Sequence, residues 1–330
     1  MADRFLPPHR ERGAALLTVL LLVAVMAVIS ATALDRLRLS TRLAVNGAAM
    51  AQARAYGLAA EGIAAARIED LLQRDAAQLT NDGNWLDRDL PVPVDAGQAT
   101  VRLSDGQNCF NLNSLVRAEG GQYRASPVHI RQFAGLMELL GIAGADAVVI
   151  ADSTADWIDS DGTTMPSGAE DSYYRGQRDG YFTANRMMLD RGELRAVRGM
   201  TPAYYARLKP WICALPLAEP VRLNANTLSP ERSLLLSALL DGALSPADAR
   251  ALLATRPSGG YGSAVKFWQT PRLAAAQIGS DIQAQVGVTS NWFFLHNRIS
   301  AGDIEFESHG LIDARNGGAK LIWRSWGEAG

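Results

Sequence analysis

From Ala14 to Leu34 the chain runs for 21 residues, AALLTVLLLVAVMAVISATAL, without one charge. About 20 such residues in a helix span the hydrocarbon core of a bilayer. The segment therefore belongs in lipid or among other helices, and the fold must be built beyond it. Arg4, His9, Arg10 and Arg12 precede it and Asp35 follows. The positive-inside bias leaves the N-terminus in the cytoplasm and everything after Asp35 across the membrane. A cleaved secretory signal is the competing reading. Its apolar region is shorter, about 7–15 residues, and Ser30-Ala31-Thr32-Ala33 offers small residues for cleavage.

The helical character does not stop at the charge. Residues 35–72, DRLRLSTRLAVNGAAMAQARAYGLAAEGIAAARIEDLL, contain no proline, are rich in Ala, Leu and Arg, and space their apolar residues by three and four. Apolar run and continuation together predict one helix of roughly 55–60 residues, about 85 Å long.

A basic leader ending in Arg12-Gly13, followed by an apolar segment that runs into an amphipathic helix, resembles the type IV pilins and pseudopilins. The resemblance implies cleavage by a prepilin peptidase between Gly13 and Ala14, with methylation of the new N-terminus. Most of that family carry a glutamate at the fifth mature position, where it neutralises the terminal amine of a neighbouring subunit. Here the position is Thr18. Absence of that glutamate, and an unusually large chain, mark the minor pseudopilin K family of type II secretion.

Beyond the helix, Gln98–Ser104 alternates weakly as a strand, and 291–300, 304–312 and 319–326 read as three more. Asn316-Gly317 predicts a tight hairpin between the last two, with both turn residues at positive φ. The residues between these strand regions are mostly of helical pattern. The expected fold is α+β: a long N-terminal helix packed on a small antiparallel sheet, with a large α-helical, helix-hairpin-helix or SAM-like domain inserted in the sheet. The expected boundaries are a leader at 1–13, the N-terminal helix at 14–75 (membrane-spanning over 14–34), a pilin-type β region at 76–105 and 286–330, and the α-domain at 106–285. Within the insertion, Asn111-Leu112-Asn113 and Asn224-Ala225-Asn226 read as backbone caps and turns, and Ser229-Pro230 and Ser245-Pro246 as helix starts.

No basic residue occurs between Arg131 and Arg175, while Asp146, Asp152, Asp156, Asp159, Asp161, Glu170 and Asp171 crowd one stretch. Carboxylates so grouped repel one another and need either solvent or a cation. Asp159, Asp161 and Glu170 fall at positions one, three and twelve of a loop that could wrap calcium, with Thr163 at five and Ser167 at nine. It is not an EF-hand, because Thr164 stands where that loop requires glycine. From spacing alone, a solvated acidic loop fits as well. Asp156-Trp157-Ile158-Asp159-Ser160-Asp161, with Gly168-Ala169-Glu170 and Tyr173-Tyr174, resembles the signature stretch of the pseudopilin K family, whose α-domain binds calcium. Carried over by position, the resemblance implies Asp159, Asp161 and Glu170 as ligands. Asp156 and Asp171 are weaker candidates, since either could cap a helix instead.

Cys109 and Cys213 are too few for a disulfide framework and lack zinc-ligand spacing. Across the membrane an oxidising compartment favours a bridge between them; two buried thiols is the other reading. The histidines, His9, His129, His296 and His309, join no catalytic constellation, and Ser258-Gly259-Gly260-Tyr261-Gly262 lacks the Gly-Lys-Ser/Thr of a phosphate loop. The chain is not expected to be an enzyme.

Two functions follow. The resemblance implies a pseudopilus-tip subunit in the bacterial inner membrane that initiates or caps assembly for protein export. Its partners would be pseudopilins I and J directly, H nearby and the major pseudopilin G below, with the secreted substrates as further candidate contacts. The alternative is a membrane-anchored helix-hairpin-helix DNA-binding protein of a competence-type uptake system. A net charge of −2, a pI near 6.1 and a single glycine in Asp241-Gly242-Ala243-Leu244-Ser245 argue against nucleic acid as a partner.

Overall fold

A computed structural model describes residues 11–95, 97–301 and 304–327. Helix α1 runs unbroken from Glu11 to Arg74. Residues 13–47 are exposed along their whole length, and an 18-residue window within the helix reaches a mean hydropathy of 2.8 with none of it buried. Burial begins at Ala53 and recurs at Ala60, Ala64 and Ile68, which is helical spacing of one face. The small side chains let the helix lie close on the sheet. A Cβ on Gly57 would already meet Phe306 Cε1 at 3.4 Å.

After α1 the chain forms β1 (Leu90–Val92) and β2 (Gln98–Asp105), and then enters the insertion. Its first part holds β3 (Phe110–Asn111), the hairpin β4–β5 (Val116–Glu119, Gln122–Ala125), α2 (Pro127–Leu139), α3 (Gly144–Ile158), α4 (Asp171–Arg175), α5 (Pro202–Leu208) and β6 (Ile212–Cys213). Its second part holds β7 (Leu223–Asn224), α6 (Ser233–Leu239), α7 (Pro246–Ala254), three short helices α8 (Ala264–Trp268), α9 (Pro271–Ala274) and α10 (Ser280–Gln283), and β8 (Val286–Gly287). The chain then returns to the sheet as β9 (Trp292–Ala301), β10 (Ile304–Asp313) and β11 (Lys320–Trp326). The sheet is antiparallel in the order β1-β2-β9-β10-β11, so β2 and β9 pair across the whole insertion.

Alternation explains which face is covered. Val101, Leu103, Phe293, Leu295 and Ile312 point at α1 and close a core with Ala60, Ala64 and Ile68. Ala53 closes a second with Ala99, Ile299 and Phe306. Polar contacts fix the register of helix against sheet: buried Glu61 takes both Arg324 Nε and Nη2 from β11, and Glu69 accepts from Ala319 N at 2.7 Å.

Each part of the insertion is closed at its base by a short parallel ladder. β3 pairs with β6, and there Cys109 and Cys213 form a disulfide with Cα atoms 5.9 Å apart. β7 pairs with β8, so residues 286–287, assigned from sequence to the sheet region, pair within the insertion. The asparagines do the cross-tying. Asn111 Oδ1 accepts from Asn113 N and Leu215 N, and Asn113 Nδ2 donates to Met188 O and Leu215 O. Asn224 Oδ1 accepts from Asn226 N, whose own side chain accepts from Tyr261 N. Gly141 at φ 77° ends α2 in a Schellman turn, with Ile142 N donating to Met137 O.

The expected turn before β11 fails as well. The β10–β11 connection is not a two-residue turn but spans 314–319, and of the Asn316-Gly317 pair only Gly317 takes positive φ. Side chains supply the caps a longer loop needs: Asp313 accepts from Arg315 N, and Glu69 from Ala319 N. The Gly-Gly hairpin is elsewhere, at Gly120 (φ 58°) and Gly121 (φ 82°) between β4 and β5.

Candidate metal centre

Helix α3 ends at Ile158, Asp159 follows in extended conformation, and the loop returns at Glu170 to start α4. The last turns of α3 are buried, so Asp156 (0 % exposed) and Asp159 (2 %) are carried into the interior, where Glu170 (5 %) meets them. One oxygen from each lies within 4.8 Å of the others. Among the described residues, Asp159 Oδ1 and Glu170 Oε1 are buried without a hydrogen-bond partner. No ion pair reaches these three carboxylates among the described residues. The nearby Arg198 donates instead to Gly168 O at 2.7 Å and stacks over Tyr173.

The loop is moulded around the carboxylates. Met165 N and Ala169 N donate to Asp156, and Ser167 N to Asp152 Oδ2 at 3.0 Å. Gly168 passes so close that a Cβ there would sit 2.0 Å from Asp156 Oδ2, so only glycine fits. Behind them Trp157 packs edge-on to the fully buried Tyr174, with ring centroids 5.3 Å apart.

Burial and mutual repulsion drive the protonation. Desolvation, and then the charges of Asp161, Glu170 and Asp156, push Asp159 up to about 8. Desolvation and then Asp156 push Glu170 up to about 7. Asp156 rises only to about 6, because its burial is opposed by the Met165 and Ala169 amides. Unpaired and unsatisfied, such oxygens are high in energy when ionised. A hard divalent cation coordinated by oxygens removes both penalties, and carboxylate and backbone oxygens suit calcium and not zinc. The residues present fit calcium.

Of the five candidates, Asp156, Asp159 and Glu170 come together. Asp161 is exposed and its Oδ1 accepts from Thr163 N at 2.8 Å, although its charge is felt at all three. Asp171 is spent structurally: its Oδ1 accepts from Thr183 N and Oγ1, which holds its carboxyl below the usual range. Two participants escape a reading by ligand spacing: Asp152 as a holder of the loop, and Gly168, whose signal is a glycine facing an acid across twelve residues. Gly13 and Ala14, the processing candidates, lie in the first turns of α1, and residues 1–10 of the leader lie outside the described residues.

Comparison with known proteins shows the family of the chain. Family models described as Type II secretion system (T2SS), protein K match residues 108–217 and 223–289, the two ladder-closed parts of the insertion. The Type II secretion system protein K of Klebsiella pneumoniae is 33 % identical over 323 residues, covering 97 % of each chain. That of Aeromonas hydrophila is 38 % identical over 259 residues, 77 % of this chain and 78 % of its own. Among solved structures, the GspK-GspI-GspJ complex from enterotoxigenic Escherichia coli contains a chain that is 31 % identical, with a TM-score of 0.74, covering 84 % of this chain and 96 % of that one. The chain therefore belongs to the type II secretion system protein K family and is a minor pseudopilin of that machinery.

Proposed function

We propose that the protein stands at the tip of a type II secretion pseudopilus and initiates or caps its assembly, bound directly to pseudopilins I and J. The observation that carries this is the likeness over nearly the whole of a protein K chain solved in complex with those two partners. The bare half of α1 supports it: an apolar helix exposed over residues 13–47 needs lipid before assembly and other helices after it. Residues 14–34 anchor the chain in the inner membrane with the bulk in the periplasm, after cleavage between Gly13 and Ala14. H lies nearby and G below. Thr18 in place of glutamate suits a subunit with no neighbour's amine beyond it. The role is structural and not enzymatic.

Calcium belongs to this function as a fold-stabilising ion. Asp156, Asp159 and Glu170 would hold it, with Asp161 close enough to add charge. The ion neutralises carboxylates that otherwise push the α3–α4 loop open.

Co-expression of the full chain with the I and J pseudopilins of the same organism, followed by purification in detergent, tests the reading. A ternary complex that persists through gel filtration is expected. An I–J pair that forms and leaves this chain behind would overturn it. Competence-type DNA binding is disfavoured at its own hairpin: the α6–α7 turn presents Asp241 at positive φ, 4.0 Å from Arg131, where a phosphate clamp needs bare amides.

A further inference from the structure

The sheet face turned away from α1 carries Phe294, His296 and Arg298 on β9 and Glu307, His309 and Leu311 on β10, since residues two apart share a face. His296 and His309 stand directly opposite in the ladder. Their rings are stacked, with centroids 4.4 Å apart and planes within 5°, so each must turn about its Cβ–Cγ bond to aim its nitrogen at a shared point. The Nε2 atom of each is shut off from solvent and has no hydrogen-bond partner among the described residues. Buried polar atoms are normally satisfied, so two orphaned imidazole nitrogens side by side call for a reason.

Glu307 supplies the third group. Its Oε1 accepts from Arg298 Nε at 2.8 Å, which fixes the carboxylate, while Oε2 sits 3.6 Å from His296 Nε2. That is too long for a hydrogen bond. It is close to the spacing of two donors around one small cation, because ligands about 2.0–2.2 Å from a tetrahedral zinc lie roughly 3.4 Å from each other. One donor atom from each of the three residues lies within 4.8 Å of the other two.

We propose that His296, Glu307 and His309 form a binding site for a zinc-class divalent cation, with a fourth position open to water or an added ligand. Two imidazoles and one carboxylate suit a borderline first-row metal, as the all-oxygen acidic cluster does not. The Arg298 contact to Glu307 orients the ligand from behind. The site clips β9 to β10 on the face where Phe294 and Leu311 pack with the Cys109–Cys213 bridge and Leu215. A cation here stiffens the seam between sheet and insertion, separately from calcium. Arg191 and Lys209, on the insertion, act on His309 by their positive charge, which weakens the site.

The test uses the full chain in detergent micelles, in a His9→Ala background and with calcium saturating the acidic cluster. Zinc is titrated against a chromogenic chelator, and cobalt is added separately as a spectroscopic probe. The expected result is one equivalent of zinc, a four-coordinate cobalt spectrum, and zinc-dependent shifts of two imidazole proton signals. His296→Gln or His309→Gln should weaken zinc by about tenfold or more. Asp159→Asn with Glu170→Gln should leave it unchanged. If an imidazole variant does not fold, the cobalt spectrum and imidazole signals of the parent chain decide alone. No stoichiometric zinc, a six-coordinate cobalt spectrum, or zinc binding untouched by both imidazole substitutions would overturn the proposal.

Discussion

If Asp156, Asp159 and Glu170 hold calcium as proposed, stripping the ion should reverse the sign of the protein's pH dependence. Without the ion, Asp159 titrates near 8 in the folded state against an ordinary 3.8, Glu170 near 7 against 4.5, and Asp156 near 6 against 3.8. A carboxyl raised on folding gives its full stability below the unfolded value and loses it as pH climbs through the folded one. Taking Asp159 alone, the loss between pH 4 and 8 is on the order of 5 kcal/mol, at about 1.4 kcal/mol for each unit. That is a large fraction of the stability of an ordinary domain. With calcium held among the carboxylates, the ionised form is the stable one, and stability should rise over the same interval. The assay is thermal unfolding of the full chain in micelles, followed by tryptophan fluorescence, which Trp157 makes sensitive to the site. Metal-stripped protein should melt lower at pH 8 than at pH 5, and calcium-loaded protein higher. A metal-stripped Tm that is flat or rising across that range would mean that the carboxylates ionise freely in water and carry no such penalty.

Three other outcomes follow from the same contacts. Gly168→Ala forces a methyl against the Asp156 carboxylate, so the calcium-dependent rise in Tm should vanish while the far-UV spectrum persists. Cys109→Ser with Cys213→Ser opens a span of 104 residues and should lower unfolding stability by up to about 4–5 kcal/mol in denaturant titration. Glu61→Gln leaves Arg324 without its carboxylate under α1 and should cost about 1–3 kcal/mol, with protease cutting faster at β11.

What the sequence shows and hides divides along physical lines. Helix α1 is legible because apolar run, absence of proline and helical spacing agree over its whole length, and the four longer strands are legible because alternation is local. The disulfide is legible from compartment chemistry once the anchor is read. The short parallel ladders β3–β6 and β7–β8 leave no pattern in two-residue strands, since their partners lie about 100 and 60 residues away. The acidic centre is visible as a cluster, but spacing ranks Asp161 above Asp156. The structure turns Asp161 outward and carries Asp156 inward on the last turns of α3. A loop register says which residues are near in sequence; helical phase decides which carboxylates share the interior. The turn at Asn316-Gly317 fails for a related reason, because Glu69, far back in α1, caps the longer loop.

In the proposed arrangement one copy of this protein stands at the end of the fibre, above pseudopilins I and J. Gold labelling of an epitope inserted in the exposed β4–β5 turn at Gly120-Gly121, on pseudopili sheared from cells that express the tagged chain from its native locus, tests this most simply. One particle at one end of each fibre is the expected result. Particles distributed along the length would contradict it.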